Sequence, residues 1–129
     1  MNLAAELHAR VLESLGSGVA LVDSAQVVLA WNASFARFTG VSGDRALGRA
    51  AGELVDALGS PRASAALRRA LEHGMTSVLS AALRPGSRGD EEPEVRAKAG
   101  FSFLLQPISL GSERYCLIEL RDLSAVAEL

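Results

Sequence analysis

The stretch that most limits what this chain can fold into is Gly18–Gly40, GVALVDSAQVVLAWNASFARFTG. Two short apolar runs, Val19–Val22 and Val27–Trp31, are rich in β-branched residues and flank the small, polar interval Asp23–Gln26. That pattern predicts a hairpin, because β-branched side chains suit a pleated surface and polar residues suit its turn. Asn32 follows directly and can cap a helix with its side-chain oxygen. The helix carries Phe35 and Phe38 three residues apart, so one aromatic edge turns inward, and Gly40 ends it. A two-stranded ribbon is marginal alone in water. The rest of the chain must therefore complete its sheet and cover one face.

The remaining segments are suited to that task. Asn2–Leu15 reads as an amphipathic helix, with Leu3, Leu7, Val11 and Leu15 at four-residue steps and Gly16 and Gly18 stopping it. It packs on this domain or a copy of it, or it is the tail of a longer signalling helix; two turns of spacing do not separate the two. Val41–Gly48 predicts a turn and one helical turn, with Ser42 as cap and Gly48 ending it at positive φ. Ala50–Leu58 predicts another short helix, with Leu54 and Leu58 four apart, closed by Gly59. Ser60–Pro61 restarts the chain as a cap followed by proline at the first helical position. That helix runs to about His73 with Ala63, Leu67, Ala70 and Leu71 as its apolar stripe, and Gly74 ends it.

The last third changes period. Thr76–Leu83 is a strand candidate, and Pro85–Pro93, with Asp90, Glu91 and Glu92, predicts a solvated loop. Val95, Ala97, Ala99, Phe101, Phe103 and Leu105 then alternate with polar residues, the mark of a half-buried antiparallel strand. Pro107 is expected to end or kink it, with a turn at Ser109–Ser112. Arg114–Leu120 is the final strand, Cys116, Ile118 and Leu120 sharing its apolar face. Two strands, several short helices and three strands predict an α+β domain: a five-stranded antiparallel sheet with short helices on one face, preceded by the N-terminal amphipathic helix.

Bulk properties exclude several functions. The chain has 129 residues, 49% of them hydrophobic, which supports one domain with a real core. Lys plus Arg number 13 and Asp plus Glu 15, a net charge of -2, so there is no electrostatic footprint for nucleic acid or an anionic membrane. The longest uncharged stretch, Ala99–Ser112, contains Pro107 and is too short to span a bilayer. Glu6, His8 and Arg10 do not suit a secretory signal. The single cysteine, Cys116, excludes an intrachain disulfide and fits a reducing, cytoplasmic compartment. One cysteine and two histidines, His8 and His73, support no zinc site.

In this order and spacing the motifs resemble a PAS domain, the sensory fold of bacterial signalling proteins. The resemblance covers Leu12–Ser124: LESLGSGVALVD, VVLAWNASFARFTGVS, ALGR at Ala46–Arg49 and ELRDLS at Glu119–Ser124. By that resemblance Asn32 starts the first short helix and Thr39–Gly40 closes it. Asp122, Leu123 and Ser124 join the last strand to an output helix. The implied division is a flanking helix over 1–16, a sensory domain over 17–124 and the start of a linker helix over 125–129. The implied role is non-catalytic: sensing and dimerisation, regulating a covalently linked histidine kinase, diguanylate cyclase or phosphodiesterase, or transcription regulator. Self-association would use Leu3, Leu7 and Val11, and the domain would belong to a longer protein in two-component or cyclic di-GMP signalling. The alternative is a protein–protein interaction module with a filled core and no ligand.

No residue set points to a cofactor, and none is the expected state. A flavin-thiol photoreceptor of this family needs a cysteine in the middle helices, whereas Cys116 lies on the last predicted strand, where it reads as a small buried hydrophobe. Haem is not expected either, because His73 sits at the far end of its helix and His8 outside the domain. Trp31 either stacks on a planar ligand or fills core space, while Asn32 is better explained as a cap. The candidate pocket lining is Leu29, Trp31, Phe35, Phe38, Leu54, Leu67, Val78, Phe101, Phe103 and Ile118. Such a lining admits a small apolar or aromatic ligand, or the residues simply meet. There is no lysine-bearing phosphate loop and no serine nucleophile elbow, so no catalytic residue is assigned. The Asp90–Glu92 run lacks the oxygen-ligand spacing of a cation site.

Overall fold

The computed structural model describes residues 6–7, 10–11, 16–82 and 100–122, of which 81, 82, 100 and 122 are described by backbone alone. Its elements are β1 (Gly18–Val22), β2 (Val28–Trp31), α1 (Ala33–Thr39), α2 (Gly43–Ala46), α3 (Ala51–Leu54), α4 (Asp56–Gly59), α5 (Pro61–His73), β3 (Ser77–Ala82), β4 (Gly100–Leu110) and β5 (Glu113–Asp122). The strands form one antiparallel sheet in the order β2-β1-β5-β4-β3. The last strand is therefore central, between the first and the fourth. Ala20, Val22, Phe101, Phe103, Leu105, Cys116, Ile118 and Leu120 face inward, where they meet Phe35, Leu58, Ala63, Leu67 and Ala70 from the helices.

The first hairpin turns where its polar residues predict. Asp23 Oδ1 accepts from the backbone N–H of Ala25 at 2.9 Å and of Val27 at 3.0 Å, so the side chain holds the turn. Leu21 pairs with Ala30 and Val22 with Val28, leaving Leu29 as an extra residue on β2. A bulge of this kind breaks the two-residue alternation. Val28 and Trp31, three apart, both become buried, and Leu29 is 46% exposed. Beyond β2 the chain returns and covers the strand's outer edge: Val28 N–H donates to Arg49 O and Gly48 N–H to Val28 O, each at 2.9 Å. Gly48 makes that return at a φ of 81°.

The helices follow their local signals, with one exception. Ser42 and Ser60 cap α2 and α5 by accepting from Arg45 N–H and Ala63 N–H. Gly40 and Gly74 end α1 and α5 in the left-handed conformation. The single helix expected over Ala50–Leu58 is instead two turns, α3 and α4, separated by Val55 in an extended conformation. Val55 is buried, so its side chain is inserted into the core at the break. The two turns fold so closely that a Cβ on Gly59 would lie 2.5 Å from Gly52 O. A Cβ on Gly52 would in turn press on Gly59 Cα at 3.1 Å, and Gly59 is the last residue of α4, the end expected for it.

Pro107 does not end β4. The strand continues to Leu110, pairing with β5 throughout, and the turn is only Gly111–Ser112. Pairing with β3 stops at Ser77–Leu105, so Pro107 lies where β4 has a partner on one side only. Strands tolerate a missing N–H at such positions. At the N-terminus Glu6, Leu7, Arg10 and Val11 are helical, and Arg10 approaches Glu6 at 4.0 Å. Leu3 and the rest of Asn2–Leu15 lie outside the described residues. So do the loop Pro85–Pro93, the strand positions Val95, Ala97 and Ala99, and the segments Leu123–Ser124 and Ala125–Leu129.

Candidate functional site

Asn32 ties three elements together. Its Oδ1 accepts from Phe35 N–H, capping α1, and from Val19 N–H on β1, both at 2.9 Å. Its Nδ2 donates to Ser17 O at 3.2 Å, and Ser17 Oγ donates to Glu119 on β5. A buried asparagine that satisfies two backbone donors fixes the angle between hairpin and helix. The close approach also requires Gly18, where a Cβ would meet Phe35 Cα at 3.0 Å. Trp31 Nε1 donates to Val41 O at 2.9 Å, which fastens β2 to the chain beyond α1. Its indole is thus held by the protein itself.

The aromatic residues expected to line a pocket form a packed series. Trp31 lies 4.3 Å from Phe35, Phe35 lies 6.5 Å from Phe103, and Phe38 lies 5.7 Å from Phe101, measured between ring centroids. Phe35, Leu67, Phe103 and Ile118 are fully buried together. Leu54 and Phe38 are partly buried against the same cluster. Two of the expected lining residues are elsewhere. Leu29 points outward because of the bulge, and Val78 is 60% exposed because Leu79, not Val78, sits opposite Phe103. The Thr76–Leu83 run has apolar residues at both parities, so only pairing with β4 decides which face is inside.

A pocket of about 320 Å³ opens beside this core, between the start of α5 and β3. Ala57, Ala63, Leu79 and Phe103 form its apolar floor, and Asp56, Ser60, Arg62 and Ser80 its polar rim. Only Phe103 was foreseen as lining. The others come together because the chain bends at Ser60, where Ser60 Oγ donates to Ala57 O at 3.2 Å while capping Ala63 N–H at 3.1 Å. The Ser60–Pro61 signal marks that bend in the sequence; what it packs beside is set by the sheet.

The remaining candidates have structural surroundings. Cys116 is fully buried opposite Pro107, and burial pushes its thiol up to about 12, against a partial lowering by the backbone at Gln106. A thiol held neutral on the inner face of β5 is a poor nucleophile. His73 is exposed at the C-terminal turn of α5. Arg114 Nη1 donates to Leu71 O at 3.4 Å, so β5 supplies a cation to the carbonyl end of α5. Nothing in the sequence near Arg114 marks that long-range contact. Among the described residues, no three His, Cys, Asp or Glu side chains are grouped to hold a metal. No described helix is long and apolar enough to cross a membrane.

A β2-β1-β5-β4-β3 sheet with short helices on one face and a lateral pocket defines a class of small α+β domain. Comparison with known proteins agrees: the family model of the PAS fold matches residues 12–126, and the chain belongs to that family. Its domains are non-catalytic sensory modules. Among solved structures, the chain is similar to the PAS domain of Bordetella pertussis BvgS, with a TM-score of 0.67 at 15% identity, covering 98% of this chain and 91% of that one. It is similar to the PAS domain of a Colwellia psychrerythraea protein, with a TM-score of 0.68 at 15% identity over 95% and 98% of the two chains. It is also similar to a sensory box sensor histidine kinase from Vibrio cholerae, with a TM-score of 0.62 at 16% identity over 92% and 90%. At such identities the likeness is one of fold. No curated protein matches the sequence.

Proposed function

We infer that the chain is a sensory and dimerisation module that regulates an attached signalling output domain. The carrying observation is one pair in the sheet: Phe103, on the pocket floor, is registered opposite Leu120 on β5. Leu120 lies two residues before Asp122, where the exit segment Asp122–Leu123–Ser124 begins. A ligand that shifts Phe103 acts directly on the strand that leads out of the domain. Leu120 also pairs with Gly18, so the N-terminal flank meets the same point. Leu7 and Val11 are 59% and 49% exposed on that flank, which supports self-association through Leu3, Leu7 and Val11.

A histidine kinase is the favoured output, since the Vibrio cholerae neighbour is described as a sensor histidine kinase. A cyclase, phosphodiesterase or transcription regulator is served equally well by the same exit strand. The test joins the chain to a histidine kinase transmitter domain and measures autophosphorylation. Phe103→Leu and Asp122→Asn should each change the rate several-fold while far-UV circular dichroism is retained. Unchanged rates in both variants count against the reading.

The packed series from Trp31 to Phe103 favours a second reading, a ligand-free interaction module. Native mass spectrometry of freshly purified protein separates the two. A stoichiometric mass increment supports sensing, and a bare chain that takes up no added ligand supports interaction.

A further inference from the structure

We propose that the pocket beside α5 binds the zwitterion of a small aliphatic α-amino acid. This rests on reading the same pocket as the sensory site. Its rim carries one carboxylate, Asp56, and one guanidinium, Arg62. Among the described residues neither has an ion-pair or side-chain hydrogen-bond partner. A simple anion would be repelled by Asp56. A simple cation would be repelled by Arg62 and by the positive N-terminal end of α5. A ligand with both charges on one carbon satisfies both.

The expected contacts follow from the donors present. The ligand carboxylate meets the Arg62 guanidinium, whose planar fork accepts a carboxylate through two parallel bonds. The α5 backbone adds little, because Pro61 has no N–H and Ala63 N–H already donates to Ser60 Oγ. The ammonium meets Asp56, with the Ser80 hydroxyl on the same rim. The floor is apolar, made by Ala57, Ala63, Leu79 and Phe103, and it takes the aliphatic side chain. Both rim charges are exposed and screened by salt, so affinity should be modest, with Kd on the order of 0.1–1 mM.

The test is an amide NMR titration of the whole 129-residue chain. The probes are L-leucine, 4-methylpentanoate, isopentylamine and 3-methylbutan-1-ol. L-Leucine should shift the Ala57, Ala63 and Ser80 amides saturably and bind at least tenfold tighter than the other three. Asp56→Asn and Arg62→Gln should each weaken leucine at least tenfold, and Arg62→Gln should not weaken isopentylamine. Leucine binding no tighter than the acid or the amine, or binding normally to either variant, overturns the proposal. If the alcohol alone shifts the pocket amides, the amino-acid assignment fails and the ligand-pocket reading stands. If no probe shifts them, both fail.

Discussion

Asn32 concentrates more of the local geometry than any other polar side chain described here. One oxygen serves two buried backbone donors, on β1 and in α1, and the amide nitrogen serves a third group. Asn32→Ala removes a cap and leaves Val19 N–H without its acceptor, which together should cost about 2–3 kcal/mol in urea unfolding. Asn32→Asp keeps both acceptor contacts but sets a buried carboxylate against Ser17 O, so it should cost less than Asn32→Ala when unfolding is measured in acid, where the protonated carboxyl can donate to Ser17 again. Equal losses in the two variants would sink this division of roles. Cys116 gives a prediction in pH. Burial pushes its thiol up from an ordinary 9.0 to about 12, so the folded state favours the neutral form. That preference contributes fully below pH 9 and is lost as pH rises from about 9 toward 12. Alkaline destabilisation in that window should therefore be shallower in Cys116→Ala. In the native protein at pH 8 Cys116 should resist Ellman's reagent and react once urea is added.

At the scale of elements, what could be anticipated was whatever is encoded within a few residues. Asn32, Ser42 and Ser60 begin helices, and Gly40 and Gly74 end them, because capping geometry is local. Three features were not legible, and each depends on a distant partner. The Leu29 bulge is a property of the β1–β2 pair, the break at Val55 answers to the core beneath it, and Pro107 survives in β4 because β3 stops short of it. Arg114 belongs with them, since its acceptor lies at the far end of α5. The flanking helix yields a prediction of its own. A chain lacking residues 1–14 should scatter light as a monomer where the whole chain scatters as a dimer. An unchanged dimer would remove Leu3, Leu7 and Val11 from the interface.

At the scale of the whole molecule, the candidate site shows the same limit. The aromatic core was visible in the spacing of Phe35, Phe38, Phe101 and Phe103, because period alone places those residues on inward faces. The pocket was not, because Asp56, Arg62 and Ser80 meet only when a helix start is laid against a sheet edge. The strand order carries a further consequence, in time. Val19 pairs with Glu119 and Val22 with Cys116, so the first strand written is completed by the last. Contacts of that separation are slow to form and cannot form at all before β5 exists. A chain ending at Ser112 should accordingly lack a cooperative unfolding transition, even though α1–α5 are all present in it. On the ribosome the early hairpin and the helices α1–α5 must wait, sheet unclosed, until Asp122 has emerged. The strand that closes the sheet is also the last of the five to be synthesised, so closure of the sheet and release of this domain from the ribosome are consecutive events in a single translation.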